Sequence, residues 1–94
     1  MHEHALMADV VHKIEQTARE GGSERVTSIT VTLGALSHFT PDHFHEHFVD
    51  ATRGTIAEEA HVVATLNEDI NAPHADGVIL ESVELELRDP TEAS

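Results

Sequence analysis

The 94-residue chain contains no cysteine, no tryptophan and no tyrosine, and each absence removes a class of answer. Without thiols there is neither a disulfide framework nor a thiolate metal centre, so the redox compartment cannot be read from cysteine usage. Three phenylalanines, Phe39, Phe44 and Phe48, are the entire aromatic supply, so the core must consist of Val, Ile, Leu and Ala with a few aromatic plugs. Basic residues are scarce: five against 18 acidic ones give a formal charge of −13. Such a surface repels phosphate backbones and anionic membranes, which argues against nucleic acid as a partner and favours cationic partners or metal ions. Its plainest meaning is a solvated acidic exterior that keeps the chain soluble. No apolar run approaches the roughly 20 residues of a membrane span, and the opening Met1-His2-Glu3-His4 is not a basic-then-apolar leader. The expected location is cytoplasmic.

What is present is a periodic pattern for one domain and an excess of histidine, nine in all. Met7, Val10, Val11, Ile14 and Ala18 recur at spacings of three and four, which predicts a helix from about His4 to Glu20 stopped by Gly21-Gly22. From Arg25 to Gly34, Ile29, Val31 and Leu33 alternate with Ser28, Thr30 and Thr32, the mark of a strand with one buried face. Thr40-Pro41-Asp42 then supplies an N-cap, a first-turn proline and a first-turn acid for a second helix running to about Thr52. Its inward stripe reads Phe44, Phe48 and Ala51, its outward one Asp42, Glu46 and Asp50. Two more strands follow: His61 to Asn67, with Val62, Ala64 and Leu66 on one side, and Val78 to Leu87, with Ile79, Val83, Leu85 and Leu87 on one side. The predicted class is α+β, two helices packed on one face of a small three-stranded mixed sheet. The strand-helix-strand portion is a candidate right-handed crossover and the last two strands a candidate hairpin. Residues 1–87 form the domain, and residues 88–94 read as a disordered tail.

The amino terminus places unlike nitrogen donors together. His2 is too large for removal of the initiator methionine, so the free amine of Met1 is expected to persist beside the His2 imidazole, with the amides of His2 and Glu3 between them. A metal able to displace amide protons could take these four nitrogens in one plane, an arrangement suited to Ni(II) or Cu(II) and not to tetrahedral Zn(II). Coordination chemistry by itself favours copper over nickel at such a site. His4 and the Glu3 carboxylate are candidate axial or outer contacts. The alternative is a solvated terminus with both imidazoles in water.

Motifs along the rest of the chain carry a resemblance that bears on the metal. Met1-His2-Glu3-His4-Ala5-Leu6 is followed in order by Arg25-Val26-Thr27, Leu33-Gly34-Ala35-Leu36-Ser37, Pro41-Asp42-His43-Phe44, Thr52-Arg53-Gly54-Thr55-Ile56-Ala57-Glu58 and, after Gly77, Glu81-Ser82-Val83-Glu84-Leu85-Glu86. This ordered set resembles the HypA/HybF family of hydrogenase maturation proteins across residues 1–70 and 77–87. The resemblance implies Ni(II) held by Met1, His2 and Glu3, through the His2 side chain and the N-terminal backbone. It also implies delivery to a hydrogenase large subunit together with a nickel-delivery GTPase, and a non-enzymatic role. The family carries a zinc module with two Cys-x-x-Cys pairs between its last two strands, where this chain has Asn71-Ala72-Pro73-His74-Ala75-Asp76. No zinc is expected here, because His74 alone cannot replace four ligands. An adaptor that docks on a hydrogenase subunit or assembly factor without carrying metal is the alternative function. An open sheet edge also admits a homodimer.

The second helix contains His43-Phe44-His45-Glu46-His47, which fits the His-x-x-Glu-His pattern of one class of zinc peptidases. Such enzymes need a third protein ligand and a cleft, and Phe44 and Phe48 turn this helix toward the core, so the peptidase reading is set aside. Two others stand beside each other. In the plainer, His43 and His47 flank the apolar stripe while His45 faces solvent. In the other, His43 and His47, one turn apart, form an accessory metal or proton-sensing patch, with His4 as a further accessory donor. His12, His38 and His61 are isolated in sequence and read as having a structural role or none.

Overall fold

A computed structural model describes residues 2–23 and 25–86, with the backbone alone for residues 2–4. The element order is α1 (His2–Glu20), β1 (Val26–Leu33), α2 (Pro41–Ala51), β2 (His61–Leu66) and β3 (Val78–Leu85). Helix α1 starts two residues earlier than its periodicity predicts. Met7, Val10, Ile14 and Ala18 are buried, and Val11 packs against them at the margin of the stripe. Gly22, at φ 69°, turns the chain so that the Ser23 N–H reaches back to the Ala18 carbonyl at 3.0 Å, answering one of the carbonyls that a helix end leaves open.

Helix α2 is fixed at its start by two devices. The Thr40 hydroxyl accepts from the His43 N–H at 3.2 Å, and Pro41 occupies the first helical turn. Phe39, just before the cap, packs edge-on against Phe44 with ring centroids 5.5 Å apart, a hydrophobic staple that sets the entry angle of the chain. Phe44 and Phe48 are buried as predicted. Ala51 is not: it lies exposed beside a groove between α2 and α1, because a methyl group at the last helical position is too short to close that gap.

The sheet order is β2-β1-β3, with β1 and β2 parallel across the α2 connection and β1 and β3 antiparallel. The expected hairpin between the last two strands does not form. Residues 67–77 carry the chain from one edge of β1 to the other, so β2 and β3 never touch, and both pair with β1. Apolar rows cross the inner face: Val62, Ile29 and Val83 in one, Ala64, Val31 and Leu80 in the next. Helix α1 packs toward β3 and α2 toward β2 over this face, giving the predicted two-layer α+β architecture. The outer rows are mostly polar: His61, Ser28 and Glu84, then Val63, Thr30 and Ser82.

Strand β3 corrects a second expectation. Ile79 and Val83 do not share a face, because the register shifts between Thr30 and Val31, whose partners are Ser82 and Leu80. Glu81 is the extra residue of a bulge, and a bulge reverses the phase of side-chain alternation. Before it, Val78 and Leu80 face the core and Ile79 faces out; after it, Val83 and Leu85 face the core. Leu66, expected inside, is 37% exposed at the end of edge strand β2. Leu87 and the predicted tail, residues 88–94, lie outside the described residues.

Candidate functional site

Of the candidate nitrogen donors at the amino terminus, the amides of His2 and Glu3 lie at the start of α1. Met1 lies outside the described residues, as do the side chains of His2, Glu3 and His4, but the helix begins at His2. The first four N–H groups of a helix have no intrahelical acceptor, so the amides of His2 and Glu3 are committed to no hydrogen bond within α1. Coordination through them therefore breaks no rung of the helix. The positive end of the helix dipole opposes a cation there, by about 0.3 to 1 kcal/mol when exposed. Loss of two amide protons supplies two negative charges against the metal's two positive ones and more than offsets this term. The donor chemistry of the first three residues thus fits a planar-preferring divalent ion.

On α2 the structure brings His43 and His47 together. Their rings meet edge to face with centroids 4.4 Å apart, and the two Nε2 atoms are 2.8 Å from each other. Buried Phe39 abuts both rings, at 5.6 Å from His43 and 6.1 Å from His47, centroid to centroid. The aromatic residue that staples the helix therefore also backs the imidazole pair. Sequence reasoning missed this second role, although the staple itself is legible as Phe-Thr-Pro-Asp-His-Phe from Phe39 to Phe44. His45 and Glu46 are exposed.

A groove of about 500 Å³ separates the two helices, and Met7, His12 and Glu15 of α1 and His47, Asp50 and Ala51 of α2 line it. This juxtaposition has no direct sign in the sequence, because it depends on how α1 and α2 pack. Asp50 also lies 3.7 Å from Arg53 in an exposed ion pair. His38 and His74 both adopt positive φ, 69° and 62°, at loop positions, and His61 is exposed at the start of β2. Among the described residues, no three His, Asp or Glu side chains converge in a metal-holding arrangement. The peptidase pattern at His43, Glu46 and His47 thus lacks the third protein ligand that catalytic zinc requires.

Fold and surface together define a small two-layer α+β domain that carries its histidine-bearing helices open to solvent. Residues 1–72 match the family described as "Hydrogenase/urease nickel incorporation, metallochaperone, hypA". The chain belongs to this HypA family. The hydrogenase maturation factor HypA of Aquifex aeolicus is 31% identical over 68 residues, covering 72% of this chain and 59% of that protein. HypA of Rhizobium leguminosarum bv. viciae is 38% identical over 60 residues, 64% of this chain and 53% of that protein. The HypA of Methylocella silvestris is 43% identical over a stretch of the same size. The chain thus spans about half the length of the curated relatives it matches. In fold it is similar to the solution structure of the Ni metallochaperone HypA from Helicobacter pylori, with a TM-score of 0.74 at 12% identity, covering 90% of this chain and 97% of that one.

Members of the HypA family are metallochaperones and maturation factors, not enzymes. Among the described residues no helix is long and apolar enough to cross a membrane.

Proposed function

We propose that this protein is a nickel-binding accessory protein that delivers Ni(II) during maturation of [NiFe]-hydrogenase. The observation that carries the reading is the Met1-His2-Glu3 opening at the start of α1, within a stretch matched by a family described as acting in nickel incorporation. In this reading the Met1 amine, the amides of His2 and Glu3 and the His2 imidazole hold the metal. His4 and the Glu3 carboxylate flank it. Nickel is cargo, and the in-plane nitrogens favour it over Zn(II). The partners in this reading are a hydrogenase large subunit and a nickel-delivery GTPase, and the working compartment is the cytoplasm. No zinc enters, because the short connection at residues 67–77 offers no thiolate and only His74 as an imidazole.

The test is Ni(II) titration by calorimetry and absorption on the untagged chain with its own Met1, beside His2→Ala and a variant with two residues added before Met1. A planar-nitrogen absorption band in the native chain that vanishes in both variants supports the reading. The same band in all three overturns it. In that case the adaptor function, docking without metal, takes its place, and binding to a hydrogenase subunit should survive His2→Ala.

A further inference from the structure

We propose that His43 and His47 form a second divalent-metal site, made of residues other than Met1, His2 and Glu3, on the solvent face of α2. Two observations carry this beyond the spacing of the residues. The first is the pairing of the rings: the two Nε2 atoms are hydrogen-bonded at 2.8 Å, which brings both donor nitrogens within reach of a single ion. The second is their support. Phe39, 3% exposed and itself locked against Phe44, abuts both imidazoles, so part of the ordering of the side chains is already achieved before any ion arrives.

The separation also sets the angle that an ion would make with the pair. An ion about 2.0 to 2.1 Å from each nitrogen, with the nitrogens 2.8 Å apart, subtends an angle of about 84 to 89°. That is the cis angle of a square-planar or octahedral ion. A tetrahedral ion would need the nitrogens roughly 3.3 to 3.4 Å apart at the same bond lengths. A square-planar or octahedral ion fits the pair as it stands, and an opening of about 0.5 to 0.6 Å, once the hydrogen bond is released, admits a tetrahedral one. In the ion-free state one Nε2–H donates to the other Nε2. On binding, that proton shifts to the Nδ1 of its own ring, both Nε2 lone pairs turn to the ion, and two neutral imidazoles take up the metal with no net proton release. Water completes the coordination shell, and Glu46 on α2 and Glu15 across the groove compensate the added charge, Asp50 being already paired with Arg53. The ion would bridge positions one turn apart and so brace α2.

The experiment measures Ni(II) binding by calorimetry and thermal unfolding on the full, untagged chain carrying His2→Ala, which isolates α2 from the amino terminus. The expected result is close to one Ni(II) per chain, with a midpoint raised by about 10 to 20 °C at a hundredfold excess over Kd. Adding His47→Ala or His47→Gln to that chain should abolish both effects, while His45→Ala, on the same helix, should leave them intact. The far-UV circular dichroism of the metal-free variants checks that the helix survives, and the glutamine variant guards against loss of packing. Failure of the His2→Ala chain to bind, or equal loss with His45→Ala, overturns the proposal. The native chain run in parallel reports on the amino-terminal site alone: two Ni(II) falling to one on His2→Ala support both sites, and one falling to none leaves only the amino-terminal one.

Discussion

Gly34 and Ala75 approach so closely that a β-carbon built on Gly34 would stand 2.1 Å from the Ala75 carbonyl oxygen. The contact is backbone against backbone, pinned by the Gly34 N–H donating to Gly77 O at 2.9 Å and the Leu36 N–H donating to Ala75 O at 2.7 Å. No side-chain rotation can relieve it. Gly34→Ala should therefore cost at least the roughly 1 to 3 kcal/mol of an overpacked core, which for a domain of this size lowers the unfolding midpoint by about 4 to 8 °C per kcal/mol. Urea and thermal unfolding check this. A stability unchanged within error would show that the 67–77 connection can move away from β1.

Removing the cap of α2 is expected to have a smaller and more local effect. Thr40→Ala leaves the His43 N–H without its side-chain acceptor and should cost about 0.5 to 2 kcal/mol. Hydrogen exchange should show the loss concentrated in the first turn of α2, around residues 41–44. Uniform weakening across the molecule would mean that the staple of Phe39 on Phe44, and not the cap, holds the helix start.

The ion pair between Arg25 and Glu59 should be nearly dispensable. Both side chains are more than half exposed, and exposed pairs contribute about 0.2 to 1 kcal/mol because water screens them and ordering two long side chains opposes them. Arg25→Ala should shift the midpoint by a few degrees at most. The larger electrostatic term is global. With a formal charge of −13, self-repulsion weakens the compact state, and raising sodium chloride from about 10 mM to about 300 mM should raise the midpoint by screening it. A midpoint that falls with salt would mean that attractive pairs dominate instead.

Copper provides a further check on the amino terminus. Nitrogen donor sets bind Cu(II) more tightly than Ni(II), so the untagged chain should favour copper in direct competition, and His2→Ala should reduce that preference. If nickel wins, the ligand set is not the nitrogen plane of Met1, His2 and Glu3.

The helices and the central strand were legible because each carries its own signal: an apolar stripe, Gly21-Gly22 as a stop, and Thr40-Pro41-Asp42 as a start. The pairing of strands was less so. A linker of the right length for a hairpin can equally lead around β1, and only the packing of α1 over β3 and α2 over β2 decides. The bulge at Glu81 was invisible for a related reason, since the residues from Val78 to Leu85 read as apolar on either phase of the alternation. At the candidate sites, Met1-His2-Glu3 and the spacing of His43 and His47 could be read directly. The convergence of the two Nε2 atoms and the shielding by Phe39 could not, because they depend on rotamers set by a residue that precedes the helix.

Strand β1 lies between two partners that come late in the chain, and this governs how the domain is made. Ile29 pairs with Val62 on one side and Val83 on the other, so neither side of the sheet can form from neighbouring residues. Such long-range pairing closes large loops before any sheet contact rewards it, and folding should be slow for a chain of this length. During synthesis the consequence is sharper. Until the segment ending at Leu85 has cleared the ribosome, one edge of β1 stays bare, and the nascent chain is at its most vulnerable to pairing with another copy of itself.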